Sequence, residues 1–288
     1  MEEYIQKAEV LIEALPYIRE FEGKTVVIKY GGAAMLNEEL RESVAEDIVL
    51  MRYVGMNPVV VHGGGPSINK TLERLGIEKK FNAQGLRVTD EKTMEVVEMV
   101  LAGSVNKDVV RLINLAGGDA VGLSGKDGNL LYARQIETED GSDIGQVGRL
   151  TNVHTRVIDV LSRAGLIPVI APIATDGMGG TWNINADTAA GEIAAALKAE
   201  KLVFLTDTPG LLKDVKDPST LIHQLRSSEI PQLKREGVIA GGMIPKIEAC
   251  VKALDYGVRK THIIDGRIQH ALLLEIFTQR GLGTLVTY

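Results

Sequence analysis

Short apolar segments recur along this chain, and each is followed by a stretch whose apolar residues have helical spacing. The segments are rich in valine, isoleucine and leucine and show little alternation with polar residues, which is typical of strands covered on both faces. Six of them stand out, at residues 26–28, 59–61, 121–123, 167–170, 202–205 and 262–264. This alternation predicts an α/β fold with an open, mainly parallel sheet sandwiched by helices.

Three intervening segments carry clear helix signals. TDEKTMEVVEMVLAG has Thr89 or Asp90 as its N-cap candidate, ADTAAGEIAAALKAE begins near Asp187, and MIPKIEACVKALDYG ends at Gly257. The stretch at residues 126–145 is predicted to form turns and hairpins inserted between the βα units. The segment EEYIQKAEVLIEALPYIREF, at residues 2–21, is predicted to form an amphipathic helix before the first strand, and this helix either packs on its own domain or reaches a partner.

Length and composition narrow the class of protein. A chain of 288 residues suggests two domains or one large α/β unit. The net charge of −6 gives no overall electrostatic footprint for nucleic acid. No apolar run approaches the roughly 20 residues of a membrane span, and the acidic N-terminus, with Glu2 and Glu3, does not resemble a signal peptide. The single cysteine, Cys250, fits a reducing compartment and a core position, so we expect a cytoplasmic protein.

Two predicted strands end in glycine-rich segments. In KTVVIKYGGAAM, Lys29 closes the strand before Gly31 and Gly32, and in VVVHGGGPSINK three glycines at residues 63–65 precede Pro66. Strands of an open α/β sheet bind ligands at their carboxyl ends, where glycine N–H groups could cradle an oxyanion or phosphate. Two unrelated turns are the alternative. Neither the G-x-x-x-x-G-K-[ST] nor the G-x-G-x-x-G nucleotide motif occurs, and the histidines show no metal-ligand spacing with the cysteine.

Two further segments add charged residues. TWNINADTAAGEIA holds Asn183 and Asp187 one helical turn apart, and GGMIPK places Lys246 in the first turn of a helix, where a bound phosphate would offset the unfavourable helix dipole. Asp187 as a simple N-cap is the alternative. Lys29 and Lys246 converging on a polyanion, with Asp187 holding them apart, suits phosphoryl transfer. Arg87, in QGLRVTD, is a candidate clamp for a substrate carboxylate.

Seven segments together resemble one protein family. IKYGGAAM, VVHGGGPSI, GLRVTDEKTMEVVEMVLAG, VNKDVV, WNINADTAAGEIA, FLTDTPGLLKD and GGMIPKIEAC resemble, in order and over nearly the whole chain, the amino acid kinase superfamily, and within it the arginine-sensitive members that act on N-acetyl-L-glutamate. The resemblance implies the two-lobed amino acid kinase fold. It also implies ATP-dependent phosphorylation of the γ-carboxylate of N-acetyl-L-glutamate in arginine biosynthesis, with Mg²⁺ carried by the nucleotide and no protein metal cage.

The resemblance also assigns roles to individual residues. The catalytic group would comprise Lys29, Lys246, Asp187 and Gly32, and the substrate would bind at Gly64, Gly65, Arg87 and Asn183. The nucleotide would contact Thr206, Asp207, Gly210, Leu211, Gly242, Met243 and Lys246. Inhibitory L-arginine would bind at Tyr17, Lys213, Glu275 and Gly283. No general base is needed, because a carboxylate is already ionised at neutral pH.

The same resemblance extends to organisation and partners. Residues 1–21 would form an oligomerisation helix that links dimers into a hexamer, residues 22–195 a substrate and dimerisation lobe, and residues 196–288 a nucleotide-binding lobe. A PII-type signalling protein binds some members of the family. Two alternatives stay open: a kinase for a substrate one carbon longer, such as acetylaminoadipate, since one methylene gives only about 1 to 3 kcal/mol of discrimination, and a catalytically silent arginine sensor.

Overall fold

The computed structural model describes residues 1–82, 85–138, 141–278 and 281–288. The strands of this part of the chain form an eight-stranded and a four-stranded sheet. In chain order they are β1 (Thr25–Tyr30), β2 (Asn57–His62), β3 (Ala120–Ser124), β4 (Leu131–Gln135), β5 (Gly148–Val153), β6 (Ile167–Ala171), β7 (Ile173–Thr175), β8 (Thr181–Asn183), β9 (Lys201–Thr206), β10 (Gln224–Arg226), β11 (Lys260–Asp265) and β12 (Thr284–Thr287).

The large sheet has the strand order β10-β12-β11-β9-β1-β2-β6-β3. All pairs from β11 to β3 are parallel, whereas β12 runs antiparallel to β11 and pairs in parallel with β10. The six strands predicted from the sequence are therefore six consecutive strands of this sheet, from β11 to the edge strand β3. The prediction of an open, mainly parallel sheet is confirmed.

The small sheet has the order β5-β4-β7-β8. The stretch at residues 126–145, predicted to form turns and hairpins, supplies β4, and residues 139 and 140 of it lie outside the described part of the chain. Strand β4 pairs antiparallel with β5, which lies beyond that stretch, with a register shift between Tyr132 and Ala133. The sheet as a whole was not predicted, because β7 and β8 are only three residues long.

Helices cover both faces of the large sheet. They are α1 (Glu2–Phe21), α2 (Glu38–Tyr53), α3 (Gly65–Arg74), α4 (Glu91–Glu98), α5 (Asn106–Leu115), α6 (Arg156–Arg163), α7 (Ala186–Leu197), α8 (Ile230–Arg235), α9 (Met243–Asp255) and α10 (Ala271–Phe277). A π-helical segment, Met99–Val105, joins α4 to α5. No helix in the described ranges is long and apolar enough to cross a membrane.

The central strands send alternate side chains into two separate apolar layers. In β1, Val27 packs in the layer that contains Cys250 of α9, whereas Val26 and Ile28 pack in the layer that contains Ile48 of α2. Burial on both faces explains why these strands read as continuous apolar runs. Cys250 is fully buried, as predicted.

Local capping sets where two functional helices begin. Asp90 caps α4 by accepting a hydrogen bond from the Thr93 N–H at 2.8 Å. In α7 the cap is Asn185, whose side chain accepts from the Asp187 and Thr188 N–H groups. The reading of Asp187 as an N-cap is therefore wrong, and its carboxylate is available for other partners.

Candidate active site

The two glycine segments leave the sheet side by side. β1 and β2 are neighbours in register, with Lys29 opposite Val61 and Tyr30 opposite His62, so residues 31–32 and 63–65 emerge at the same edge. They line a cavity of about 500 Å³, which we call the first cavity. Four predicted site residues line it: Lys29, Gly32, Gly64 and Gly65.

A second cavity, of about 420 Å³, opens beside the first. All the residues predicted to contact a nucleotide line it: Thr206, Asp207, Gly210, Leu211, Gly242, Met243 and Lys246. Lys29 and Gly32 line both cavities. One lysine and one glycine therefore stand where a ligand in the first cavity would meet a ligand in the second.

Asp187 joins two lysines that are far apart in the sequence. Lys29 Nζ lies 3.0 Å from Asp187 Oδ1, and Lys246 Nζ lies 2.9 Å from Asp187 Oδ2. The lysines come from the end of β1 and the first turn of α9, while the capping by Asn185 places Asp187 in the first turn of α7. The three charged residues that were predicted to be catalytic thus lie together in one cluster.

The two lysines keep the buried carboxyl group of Asp187 ionised. Asp187 is 5% exposed, and burial alone would raise the pKa of its carboxyl group, but the Lys29 and Lys246 ammonium groups outweigh burial and hold that pKa below its ordinary value. The carboxylate is therefore ionised at neutral pH. Because one carboxylate faces two ammonium groups, the cluster carries a net positive charge toward the cavities, which suits a transferring phosphoryl group.

Glycine is required beside the lysine. Gly32 has a φ of +69°, and a Cβ atom there would overlap the Asp207 carboxylate. A Cβ atom on Gly31 would lie 2.6 Å from Lys29 Nζ. The Lys29 side chain therefore folds back over its own turn, and only glycine leaves room for that conformation.

Arg87 and Asn183 line neither cavity as described. Arg87 donates to Asn69 Oδ1 of α3 at 2.6 Å and lies 4.7 Å from the centre of the Phe81 ring. Asn183 donates to Thr89 Oγ1 at 3.3 Å, and that hydroxyl donates to the Arg87 carbonyl at 2.9 Å. The two residues thus form a second polar group, linked through Thr89. Arg87 Nη1 is buried and has no hydrogen-bond partner within the described part of the chain.

Three of the four residues predicted to bind arginine line one cavity, and the fourth, Lys213, does not. Tyr17, Glu275 and Gly283 line a third cavity, of about 310 Å³, between the end of α1 and strands β9 to β12. Lys213 does not line it; it is exposed on the loop after β9, where its N–H donates to the Thr220 carbonyl at 3.2 Å. Two other lysines line this cavity, Lys201 at the start of β9 and Lys260 at the start of β11.

Lys201 and His262 were missed by the sequence reasoning. Lys201 Nζ lies 3.1 Å and His262 Nε2 lies 2.9 Å from Glu275 Oε1. Burial would raise the pKa of Glu275, but the His262 hydrogen bond and the Lys201 charge outweigh it and lower that pKa to about 2. A charged residue opening an apolar strand, as Lys201 does before residues 202–205, is the one signal in the sequence that pointed to a buried partner.

Comparison with known proteins identifies the class. Residues 24–265 match the amino acid kinase family, so the chain belongs to that family. Acetylglutamate kinase from Heliobacterium modesticaldum is 59% identical over 290 residues, with 98% of each chain covered. Acetylglutamate kinase from Synechocystis is 56% identical over 285 residues, covering 99% of this chain and 95% of the relative. Within the family, the chain therefore belongs to the acetylglutamate kinases.

Solved structures support the same fold. The N-acetylglutamate synthase from Neisseria gonorrhoeae complexed with coenzyme A and N-acetyl-glutamate has a TM-score of 0.85 at 30% identity, and the match spans 98% of this chain but 63% of that longer one. Carbamate kinase from Giardia lamblia bound to AMP-PNP has a TM-score of 0.65 at 17% identity, over 92% of this chain and 98% of that one. The second likeness concerns the fold alone.

Proposed function

We propose that this enzyme transfers the γ-phosphoryl group of ATP to the γ-carboxylate of N-acetyl-L-glutamate, a reaction of arginine biosynthesis. The observation that carries the proposal is the position of Lys29 and Gly32, which line both cavities. A nucleotide in the second cavity and an acyl amino acid in the first would meet at these residues. The names of the relatives supply the substrate.

The reaction needs positioning and charge rather than a proton acceptor. A carboxylate oxygen of the substrate forms a bond to the γ-phosphorus as the bond to the β,γ-bridging oxygen breaks, which yields an acyl phosphate and ADP. Lys29 and Lys246 would stabilise the charge on the transferring group. Gly64 and Gly65 would donate backbone hydrogen bonds to the phosphoryl group or the attacking carboxylate. Asp187 would act by holding the lysines, since it is already ionised.

We propose Arg87 as the contact for the substrate carboxylate; since it does not line the first cavity, substrate binding would have to bring its side chain toward that cavity. Its Nη1 group is a buried donor without a described partner, and leaving such a donor unmatched is unfavourable. The α-carboxylate of the substrate would satisfy it and form a charge-assisted hydrogen bond. Asn183, connected to Arg87 through Thr89, would contact neighbouring groups of the substrate.

Magnesium would enter with the nucleotide. Among the described residues, no three acidic, histidine or cysteine side chains come together as a metal-binding group. Mg²⁺ in nucleotide sites keeps several waters and is held largely by phosphate oxygens, so the second cavity fits an ion that the nucleotide carries. The ion would neutralise charge on the β- and γ-phosphates when bound.

Steady-state kinetics with two substrates and an arginine-binding measurement separate this function from its alternatives. Side-by-side kcat/KM values for N-acetyl-L-glutamate and N-acetyl-L-aminoadipate test the substrate, and we expect the shorter acid to be preferred by about tenfold or more. A clear preference for the longer acid would reverse the assignment. A catalytically silent arginine sensor would bind arginine but show no turnover of either acid.

We also propose that L-arginine binds in the third cavity and inhibits the enzyme. Burial lowers the pKa of His262, so the neutral ring donates from Nε2 to Glu275, and its Nδ1 is a buried acceptor without a partner in the described part. A guanidinium group would supply N–H donors to both residues. Replacing Glu275 with Gln should bring the ratio of rates with and without arginine toward one; an unchanged ratio would remove this site.

The N-terminal helix is the proposed link between subunits. Several of its apolar side chains are exposed in the single chain, including Val10 at 63%, Leu11 at 71% and Ile12 at 67%. Helix α1 ends at the third cavity through Tyr17 and Phe21. We expect a hexamer built as a trimer of dimers, and deletion of residues 1–20 should leave dimers with a weaker arginine response. A hexamer after truncation, measured by light scattering, would reject this link.

The division at residues 21/22 and 195/196, the cytoplasmic location and the PII-type partner stay predictions.

A further inference from the structure

The buried residue that precedes the second glycine segment has no role in the mechanism above. His62 closes β2 and is fully buried. Its Nδ1 atom lies 2.8 Å from the carbonyl oxygen of Gly63. A carbonyl oxygen can only accept a hydrogen bond, so Nδ1 carries the proton. Burial lowers the pKa of His62 to about 4, so the ring is neutral and Nε2 is an acceptor.

Asn106 supplies the matching donor. This residue is also fully buried, and its Nδ2 group lies 3.1 Å from His62 Nε2. The same amide donates to the Val169 carbonyl of β6 at 2.9 Å, while its Oδ1 accepts from Lys107 Nζ at 3.1 Å. These contacts fix which way the amide points, and that orientation fixes the histidine tautomer.

Two glycines pack closely against Asn106 and the helical segment before it, where a side chain would not fit. A Cβ atom on Gly122 would overlap Asn106 Oδ1, so the amide needs glycine at that strand position. The π-helical segment Met99–Val105 ends directly before Asn106, and a Cβ atom on Gly64 would lie 2.5 Å from Leu101 of that segment. π-Helical turns inside helices are frequent at functional sites. The pair and the glycine segment therefore pack as one unit.

The hydrogen bond from His62 sets the direction of a catalytic donor. The described chain has no cis peptide bond, and in a planar trans peptide the C=O and the following N–H point in opposite directions. Because the Gly63 carbonyl is directed at the buried imidazole, the Gly64 N–H is directed away from it, and Gly64 lines the first cavity. We propose that His62 and Asn106 are positioning residues that aim the Gly64 N–H at the reacting groups. This inference rests on the proposed phosphoryl transfer.

Two substitutions of His62 separate positioning from packing. In His62→Asn, an amide N–H lies as many bonds from Cα as Nδ1 does, so the bond to the Gly63 carbonyl is retained. In His62→Gln, the amide nitrogen is one bond further from Cα, at the position of Nε2, so the hydrogen bond to the Gly63 carbonyl is lost. We expect kcat to fall by about 10²-fold in His62→Gln, the usual effect of a small misplacement of a reacting group, while the KM for ATP is unchanged because the second cavity is untouched. His62→Asn should recover most of the lost rate. His154→Gln, at an exposed histidine, is the control.

Equal kcat values for His62→Asn and His62→Gln would overturn the proposal, as would a matching loss of ATP binding in both. A second measurement needs neither turnover nor a variant. Nitrogen-15 spectra of the wild-type chain should show His62 protonated at Nδ1 only, from pH 5.5 to 8; a ring protonated at Nε2 would contradict the arrangement. If the wild-type chain fails to phosphorylate N-acetyl-L-glutamate, the proposed function fails, and the tautomer still tests the pair.

Discussion

Replacing Asp187 with asparagine removes the charge that holds the two lysines. Asp187 lies 3.0 Å from Lys29 Nζ and 2.9 Å from Lys246 Nζ. At an effective dielectric constant of about 20, each pair is worth ~5 kcal/mol before desolvation is counted. Removing one partner of a buried pair typically destabilises a protein by about 3 to 5 kcal/mol. At roughly 2 to 4 °C per kcal/mol for a domain of this size, Tm should fall by about 10 °C.

The rate should fall more than the stability explains. Without the carboxylate, the two ammonium groups repel each other and leave their positions, so we expect kcat at saturating substrates to fall by about 10²-fold or more. The unpaired lysines should bind anions more tightly, and inorganic phosphate should therefore raise the Tm of Asp187→Asn more than that of the wild type. Asp217→Asn is the control, because asparagine caps a helix about as well as the exposed aspartate there.

The pH dependence of the stability difference has a defined sign. The folded-state pKa of Asp187 is lowered, so its contribution is present above the ordinary pKa of ~3.9 and is lost as the pH falls through the folded-state value. The Tm difference between wild type and Asp187→Asn should be full at pH 7 and shrink below about pH 4. A variant with near-normal kcat at pH 7, assayed by ADP release after its folding is verified, would refute the role given to this residue.

Three further predictions concern the two lysines, the first glycine segment and a buried aspartate. Lys29→Ala and Lys246→Ala should each lower kcat by about 10²-fold or more, from a loss of about 2.7 to 4 kcal/mol of transition-state stabilisation; near-normal turnover in both would remove the mechanism. Gly32→Ala should lower kcat and Tm together, because an added Cβ atom meets the Asp207 carboxylate at a positive φ, whereas Gly76→Ala, with a φ of +68° but open space, should lower Tm alone. Burial raises the pKa of Asp47 to about 6, so its ionisation destabilises the fold as pH rises through about 4 to 6. The Tm of Asp47→Asn should consequently fall less than that of the wild type between pH 4 and 7, and parallel Tm curves would contradict that.

The large sheet was predictable because strands buried on both faces appear in the sequence as continuous apolar runs. Val26 and Ile28 pack on one face and Val27 on the other, so polar residues are excluded from consecutive positions. The edge strand β10 and its neighbour β12 show no such continuous apolar run. They are three and four residues long, and β10 exposes Gln224 and Arg226. Their pairing depends on contacts that no local pattern encodes.

The candidate site was partly predictable for a similar reason. Glycines after apolar strands indicate an edge where backbone N–H groups are accessible, and residues 31–32 and 63–65 do meet there. For α7 only Asp187 was considered as a cap from the sequence, although Asn185, two residues earlier, is of a type that caps equally well. The structure assigns the cap to Asn185.

Partners distant in sequence were beyond local reasoning. Lys201 and Glu275 are 74 residues apart and form a buried ion pair, whereas Lys213, the residue suggested by resemblance, lies on an exposed loop. His62 and Asn106 are 44 residues apart. In each case the chain fold brings together one residue from an apolar strand and one from a helix, and neither sequence context identifies which residue is the partner.

The most direct test of the account is the reaction of the purified chain with ATP, Mg²⁺ and N-acetyl-L-glutamate, with hydroxylamine present to trap an acyl phosphate as the hydroxamate. We predict that ADP and hydroxamate form in equal amounts and that both require N-acetyl-L-glutamate. ADP release without that requirement, or ADP without hydroxamate, would contradict phosphoryl transfer to the substrate carboxylate.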